Sequence, residues 1–182
     1  VTAVADGTAT ITATSGSVSA TATVTVSQVA QSVTLSPTSV SFTSAGDTTT
    51  LVATVRDAGG NIIPGATVTW VTSSSSVATV SSAGLVTAVA DGTATITATS
   101  GSASGTATAT VNQTAASITL SPTSLSFTSI GDGATLVATV RDAGGTVITN
   151  PTVTWATSSS SVATVSSAGL VTAVADGTAT IT

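Results

Sequence analysis

The sequence of 182 residues contains no Cys, His, Met or Tyr, and it contains no Lys and no Glu. Its ionisable side chains are therefore two Arg and seven Asp. General acid–base catalysis near neutral pH needs a group whose pKa can approach 7, usually His, Glu, Lys or Cys. A Ser or Thr nucleophile needs a neighbouring base, and only Asp is present to act as one. We therefore expect a protein that is not an enzyme, without catalytic, cofactor-binding or metal-binding residues.

Charge and long apolar runs are also scarce. Charged residues make up 5% of the chain, whose net charge is -5. Nucleic acids are bound by clusters of Lys and Arg, so we expect no nucleic-acid partner. No apolar run exceeds three residues, whereas a membrane span needs about 20, so we expect no membrane span in this segment. Disulfides are excluded by the absence of Cys, and Lys–Asn or Lys–Asp isopeptide bonds by the absence of Lys.

What the sequence does contain is a long internal repeat. The segment Val1–Thr12 recurs unchanged as Val86–Thr97 and as Val171–Thr182, which sets a period of 85 residues. Among the 97 residue pairs separated by this period, 17 differ and 80 are identical. A unit of this size can bury its own core, unlike the shorter repeat of a solenoid.

The period divides the chain into three parts. Residues 1–27 are predicted to hold the C-terminal strands of a partial repeat, residues 28–112 a complete repeat, and residues 113–182 a repeat that lacks its last strands. Ser27–Gln31 and Asn112–Ala116 are the predicted linkers. They lack Gly and are short, so we expect an extended array with limited bending.

Within a repeat, Thr, Val and Ala alternate with period two between turns of Gly, Pro, Asp and Ser, which is typical of β-strands. About seven short strands in 85 residues predict an all-β chain of tandem Ig-like β-sandwiches without a disulfide. The predicted strands, of which the first is interrupted at Pro37, are Ser32–Leu35, Val40–Thr43, Thr49–Arg56, Thr67–Thr72, Val77–Val80, Leu85–Ala90, Thr93–Thr99 and Ser102–Val111.

Three stretches carry a resemblance to a known family: Val68-Thr69-Trp70, the Ser-Ser-Val-Ala-Thr-Val of Ser75–Val80, and the Gly-Leu-Val-Thr-Ala-Val-Ala-Asp-Gly-Thr that begins at Gly84. With them the chain resembles the bacterial Ig-like domains of group 2. That resemblance implies a spacer or binding module of bacterial adhesins, surface-layer proteins or phage tails and fibres, located outside the cell. It also implies that the chain crosses between sheets at Asp91-Gly92, which leaves Ser100-Gly101 as the better hairpin turn.

Two functions fit these expectations. The first is an extracellular structural rod or filament shaft on a cell or virion surface, whose partners are adjacent repeats or neighbouring copies. The second is an adhesive module that binds a receptor or a glycan, or a phage tail or fibre component. Near-identity of the repeats favours the rod. The loop Asn61–Ala66 differs most from its counterpart Thr146–Pro151, so a specific contact of an adhesin would lie there.

One pair of polar residues is a candidate for metal binding. Asp57 with Asn61 offers oxygen ligands for calcium, but the counterpart pair is Asp142 with Thr146, so the set is not repeated. Capping of a turn by Asp is the stronger interpretation.

The same interpretation applies to Asp47 and Asp132. Arg56 and Arg141 each precede an Asp and are expected to form surface ion pairs of little energetic value.

The aromatic residues Trp70, Trp155, Phe42 and Phe127 lie at inward strand positions and are predicted to be core residues, with each Trp buried between the sheets of its repeat.

Asn112-Gln113-Thr114 forms an N-glycosylation sequon between repeats, a weak signal because such short motifs arise by chance.

The parts at either end of the sequence predict exposed sheet edges and half a core. Such edges recruit partner strands. One hypothesis is assembly through the ends, in which Val1–Val26 of a neighbouring copy supplies the strands missing from residues 113–182.

Overall fold

Sixteen strands and no helix form the secondary structure of the computed structural model, which describes residues 1–182. The chain is all-β, as predicted, because β-branched side chains pack well on a pleated surface. No segment forms a helix that is long and apolar enough to cross a membrane. The strands are β1 (Gly7–Ser15), β2 (Val18–Val26), β3 (Ser32–Ser36), β4 (Ser39–Phe42), β5 (Thr48–Thr50), β6 (Val52–Arg56), β7 (Thr69–Thr72), β8 (Ala78–Val80), β9 (Leu85–Ala88), β10 (Gly92–Ser100), β11 (Ala103–Val111), β12 (Ser117–Ser121), β13 (Gly133–Thr135), β14 (Val137–Arg141), β15 (Ala163–Val165) and β16 (Leu170–Ala173).

Two compact units divide the chain. The first consists of Val1–Ser41 with Thr48–Thr110, and the second consists of Phe42–Asp47 with Val111–Thr182. The short segment Phe42–Asp47 lies in the predicted repeat 28–112 by sequence, yet it packs with the second unit.

The first unit contains a sandwich. One layer is a four-stranded sheet in the order β4-β11-β10-β7, and the other is formed by the pair β3-β6 and the three-stranded sheet β5-β9-β8. β10 packs against β3 and β8, so its inward side chains enter the space between the layers. The buried apolar residues of this core are mostly small: Val33, Leu35, Val40, Leu51, Val55, Ala78, Val86, Ala88, Ala94, Ile96, Ala98, Ala107 and Ala109.

The predicted strand Thr49–Arg56 is wrong in one respect, because the structure divides it at Leu51. β5 pairs with β9, whereas β6 pairs with β3 in a different sheet. The Leu51 N–H donates to the Gly84 carbonyl at 2.9 Å, and its side chain is fully buried. The alternation of apolar residues continues through Leu51, so the change of sheet leaves no mark on the sequence pattern.

The corner implied by the family resemblance is confirmed. β9 lies in the sheet with β5 and β8, whereas β10 lies in the four-stranded sheet, so the chain changes layers between Ala88 and Gly92. β10 and β11 are neighbours in that sheet and are joined by the turn at Ser100-Gly101. Gly101 has a φ of 57°, a left-handed conformation that glycine adopts without strain.

β1 and β2 form a separate two-stranded sheet at the start of the chain. They pair in full register from Gly7↔Val26 to Ser15↔Val18. Residues 1–27 were predicted to hold the C-terminal strands of a partial repeat, and these two strands form there. Residues 1–3, which correspond to the end of β9, form no strand.

The second unit contains the pair β12-β14 and the sheet β13-β16-β15. Its buried apolar side chains are Leu136, Val140, Ile148 and Val171. The counterparts of β4 and β7, residues 124–127 and 154–157, form no strand apart from the bridge Thr157↔Ile181. In the first unit β4 pairs with β11, and β7 pairs with β10.

Candidate interaction surfaces

The Asp residues cap turns. Asp57 Oδ1 accepts the backbone N–H of Asn61 at 2.8 Å, and the Asn61 side-chain amide also donates to both carboxylate oxygens. Because the Asn61 nitrogen faces the carboxylate, the two side chains satisfy each other and do not converge as oxygen ligands. No group of three or more acidic residues that could hold a metal ion is found.

The equivalent turn of the second unit is capped in the same way, since the Thr146 N–H donates to Asp142 Oδ1 at 2.8 Å. Asp47 accepts the N–H of Ser44 at 3.2 Å, and Asp132 accepts the N–H of Ser129 at 3.1 Å. Turn capping, the interpretation favoured by the sequence, agrees with all of these bonds.

The two Arg residues do not follow the expectation of ion pairs with the adjacent Asp. Arg56 donates through Nη1 to the carbonyl of Gly60 at 2.8 Å, and Arg141 donates to the carbonyl of Gly145 at 2.8 Å. The adjacent Asp side chains accept backbone N–H groups of the turn. Each guanidinium instead donates to a backbone carbonyl of the same turn.

Two glutamines in the linkers reach the capping carboxylates. Gln28 Nε2 donates to Asp57 Oδ2 at 2.9 Å, and Gln113 Nε2 donates to Asp142 Oδ2 at 2.8 Å. The backbone N–H of Gln28 also donates to Asp6 Oδ1 at 2.6 Å. The linkers therefore carry specific side-chain contacts, which the sequence analysis missed. The sequence did contain one signal. Gln28 is retained as Gln113, whereas Ser27, Val29 and Gln31 differ between the two linkers.

These bonds lower the pKa of both carboxyl groups below the ordinary value of 3.8. The largest contribution at Asp57 is the side-chain amide of Gln28, followed by the backbone N–H of Asn61. At Asp142 the largest contribution is the side-chain amide of Gln113, and burial partly opposes it. Hydrogen bonds donated to a carboxylate favour its charged form.

The aromatic residues are less buried than predicted. Phe42 is fully buried, but Phe127 and both Trp side chains are only half-buried. Trp70 lies on β7, which is the edge strand of its sheet, so one side of the indole is left without a neighbouring strand. Both Trp residues were predicted to be buried between the sheets, and the structure leaves each of them half-buried.

Gly84 supports the inner side of Trp70. A Cβ at this glycine would lie 2.9 Å from Trp70 Cζ2 and 2.5 Å from the Leu51 carbonyl oxygen. Gly169 has the same relation to Trp155, with a distance of 3.0 Å to Cζ2. Each indole therefore packs directly against backbone, and part of its surface is not available to a ligand.

The loop that differs most between repeats lines a shallow cleft in the first unit. Its residues Ile62–Ala66 and the adjacent strand residues Ala53–Val55 enclose about 280 Å³, with Val68 at the side. The Ile62 side chain is exposed. This cleft is small, and no titratable side chain lines it.

A larger cleft of about 830 Å³ lies in the second unit. Its walls come from the segment equivalent to β4, from the inner face of the sheet, and from residues 175–181. In the first unit the inward residues of β10 and β11 are buried. The apolar residues that line it are Leu120, Leu125, Phe127, Leu136, Val162, Val171 and Ile181.

The sequon residue Asn112 has an exposed side chain, and its backbone N–H donates to the Phe42 carbonyl at 3.0 Å.

The model of the bacterial Ig-like domain (group 2) family matches residues 29–111 and 114–182. No curated protein matches the chain. Among solved structures, domains 1–6 of the surface layer protein SbsC are 23% identical, with a TM-score of 0.44 over 97% of this chain and 25% of that one. The present chain thus spans about a quarter of that structure's length.

Two adhesins are also similar. The Yersinia pseudotuberculosis adhesin InvE is 20% identical over 69% of this chain and 38% of its own, with a TM-score of 0.40. The Escherichia coli adhesin FdeC is 20% identical over 85% of this chain and 60% of its own, with a TM-score of 0.42.

Proposed function

Because the chain belongs to the bacterial Ig-like domain (group 2) family, we propose that it is a non-enzymatic segment of an extracellular rod or filament shaft, built of the repeats 28–112 and 113–182 together with the partial repeat 1–27. The observation that carries this proposal is the repetition itself. A spacer needs the same unit many times, whereas a binding surface has no need to recur with the same face. The proposed location is the surface of a cell or virion, and the proposed partners are adjacent repeats or neighbouring copies.

The composition supports the same conclusion. Charged residues make up 5% of the chain, and the ionisable side chains are two Arg and seven Asp, so Ser and Thr must supply most of its polar side chains. The Asp and Arg side chains described above are used to close turns, so they add to the stability of loops. None of these turns brings a nucleophile together with a base of suitable pKa.

Small-angle scattering of the 182-residue chain tests the rod. A compact globule of this length has a radius of gyration of about 16 Å. We expect a value clearly above that figure and a maximum dimension that is unchanged by moderate salt, because few charges are present to respond. A radius of gyration near that of a globule would contradict the rod.

The alternative function is an adhesive module, and one observation favours it. Five of the six positions in 61–66 differ from 146–151, and this loop borders the smaller cleft. If the loop binds a receptor or glycan, the labelled chain will bind saturably to a glycan array or to host cells.

The matched control for that experiment is a variant in which residues 61–66 are replaced by the sequence of 146–151. An adhesive loop predicts that the exchange removes the binding. Absence of saturable binding by the original chain supports the rod, and binding that survives the exchange would place the contact elsewhere.

A further inference from the structure

The smaller cleft of the first unit lies where a ladder of backbone hydrogen bonds stops. After the Asp57 turn, the loop returns along the edge of β6 that lies away from β3. The Asp57 N–H donates to the Asn61 carbonyl at 2.9 Å, and the Ile63 N–H donates to the Val55 carbonyl at 3.0 Å. The backbone polar groups of Val55 and Asp57 therefore face the loop.

Ala53 is directed towards the same edge. In an antiparallel pair, the N–H and C=O of one residue point to one side of the strand, and those of the next residue point to the other side. Arg56 faces β3, since its carbonyl accepts the Gln31 N–H at 2.8 Å. Ala53, two residues before Val55, therefore points its N–H and C=O away from β3 and towards the loop.

The loop forms no bond with Ala53. The two bonds described above place Gly65 opposite Ala53, but Gly65 has a φ of 68° and turns the chain away from the strand. No backbone hydrogen bond joins Ala53 to the loop. Ala53 and Gly65 both line the smaller cleft, so the N–H and C=O of Ala53 are open to it.

The size and charge of the cleft limit what it can hold. Its volume of about 280 Å³ is close to the lower limit of small-molecule sites, and no titratable side chain lines it. Ile62 and Val68 supply apolar surface in the same cleft, and Ile62 is 53% exposed. A matching ligand is small and neutral, with a donor and an acceptor on neighbouring atoms and with an apolar face.

A sugar meets these requirements better than an added peptide strand does. Strand addition draws its affinity from a run of main-chain bonds. Here the edge offers Ala53 alone, because the Leu51 N–H already donates to the Gly84 carbonyl. In a pyranose, each hydroxyl both donates and accepts, neighbouring hydroxyls lie side by side, and the C–H groups of the ring form an apolar face.

We propose that the smaller cleft binds a neutral saccharide through two neighbouring hydroxyls. One hydroxyl donates to the Ala53 carbonyl, the other accepts the Ala53 N–H, and the ring contacts Ile62. This inference rests on the adhesive alternative, for which it names the ligand class and the contact, and it is independent of the rod.

Nuclear magnetic resonance on the 182-residue chain observes this contact directly. Valine labelled with ¹³C at the carbonyl and alanine labelled with ¹⁵N together select Val–Ala peptide bonds, among them Val52–Ala53, and Ala53→Gly identifies the signal by its loss. We expect the Ala53 amide to shift saturably with the methyl glycosides of glucose, galactose or mannose. Cyclohexanol, a ring of similar size with a single hydroxyl, should give no saturable shift.

Three results would overturn the proposal. The first is an Ala53 amide that none of the glycosides shifts, and the second is an equal shift with cyclohexanol, which would indicate apolar contact alone. The third is a saturable shift with a short extended peptide and none with the glycosides.

Ile62→Ser and Val147→Ser are a matched pair of variants. Val147 occupies the equivalent position of the second unit and is also exposed. Ile62→Ser keeps the backbone of Ala53 but removes apolar area from the contact, so we expect the dissociation constant to rise about fivefold. Val147→Ser should keep the parent value. A parent-like constant for Ile62→Ser, or an equal rise in both variants, would contradict the site.

The site and the adhesive function fail separately. Binding on the glycan array without a shift of the Ala53 amide overturns the site and leaves the adhesive function standing. Absence of both results contradicts the site and the adhesive function together. Neither outcome alters the scattering test of the rod.

Discussion

Two copies of nearly the same sequence bury their equivalent residues to different extents. Val33 is 6% exposed in the first unit, whereas its counterpart Ile118 is 55% exposed in the second. Leu51 and its counterpart Leu136 are both buried. Leu51 and Leu136 are therefore buried by the β5-β9-β8 type of sheet in both units, whereas Val33 lies on β3, which also packs against β10.

The two hairpins, β1–β2 and β10–β11, also bury equivalent residues to different extents. Ile96 on β10 is 0% exposed, whereas Ile11 at the equivalent position of β1 is 43% exposed, although the segments around both residues are identical in sequence. Local sequence therefore determines that a hairpin forms, and the presence of a sandwich beside it determines whether its apolar face is buried.

The largest expected effect comes from Ile96→Ala compared with Ile11→Ala. Removing a fully buried Ile leaves a cavity, and we expect a loss of about 2–5 kcal/mol in the free energy of unfolding. The change at Ile11 should cost less than about 0.5 kcal/mol because that side chain is partly in solvent. Urea denaturation followed by Trp70 fluorescence, in a Trp155→Phe background, measures both. Equal losses would mean that β1 packs in a core as β10 does.

Gly105→Ala should have the next largest effect. A Cβ at Gly105 would lie 2.4 Å from the Val33 carbonyl oxygen, so the sheets must separate, at a cost of about 1–3 kcal/mol. The equivalent residue on β2 is already Ala20, and Ala20→Gly should change the stability of the sandwich very little. The same denaturation experiment compares the two, and a neutral Gly105→Ala would show that β11 is held less closely than the distances indicate.

Val33→Ala and Ile118→Val compare the two first strands directly. Val33→Ala removes two buried carbon atoms, for which we expect a loss of about 1–2 kcal/mol. Ile118→Val removes one carbon atom from an exposed side chain, and we expect no measurable change. Trp155 fluorescence in a Trp70→Phe background reports on the second change. A clear loss there would show that Ile118 is covered in solution.

The smallest effect concerns pH. The folded-state pKa of Asp57 and of Asp142 is lowered, so the stability they contribute is fully present above the unfolded value of about 3.8. It is lost as the pH falls below that value through the folded-state pKa. Thermal melting above and below pH 3.8 should therefore show a smaller acid-induced drop for Asp57→Asn and Asp142→Asn than for the parent. A drop equal to the parent's in both variants would show that these carboxylates are not linked to folding.

Much of the fold was predictable because strand, turn and repeat signals are local. The predicted strand Ser32–Leu35 ends within one residue of β3, and the predicted Ser102–Val111 begins one residue before β11. The division at Leu51 was not predictable, because a period of two continues through a change of sheet. The burial of Trp70 was overestimated, since its inward phase does not reveal that β7 lies at a sheet edge.

At the candidate surfaces, too, the local contacts were predictable and the long-range contacts were not. Turn capping by Asp57 and Asp142 followed from residue type, because a short carboxylate accepts the N–H groups of its own turn. The partners of Gln28 and Gln113 did not follow, because each bond joins residues 29 positions apart.

The sequence by itself determined the class of the protein: the 85-residue period sets the size of the unit, the alternation of Thr and Val makes strands, and the scarcity of ionisable groups argues against catalysis. The tertiary structure alone decided which of two nearly identical hairpins is buried and which Asp turn each linker glutamine contacts. Both depend on contacts between segments distant along the chain, where identical residues meet different neighbours.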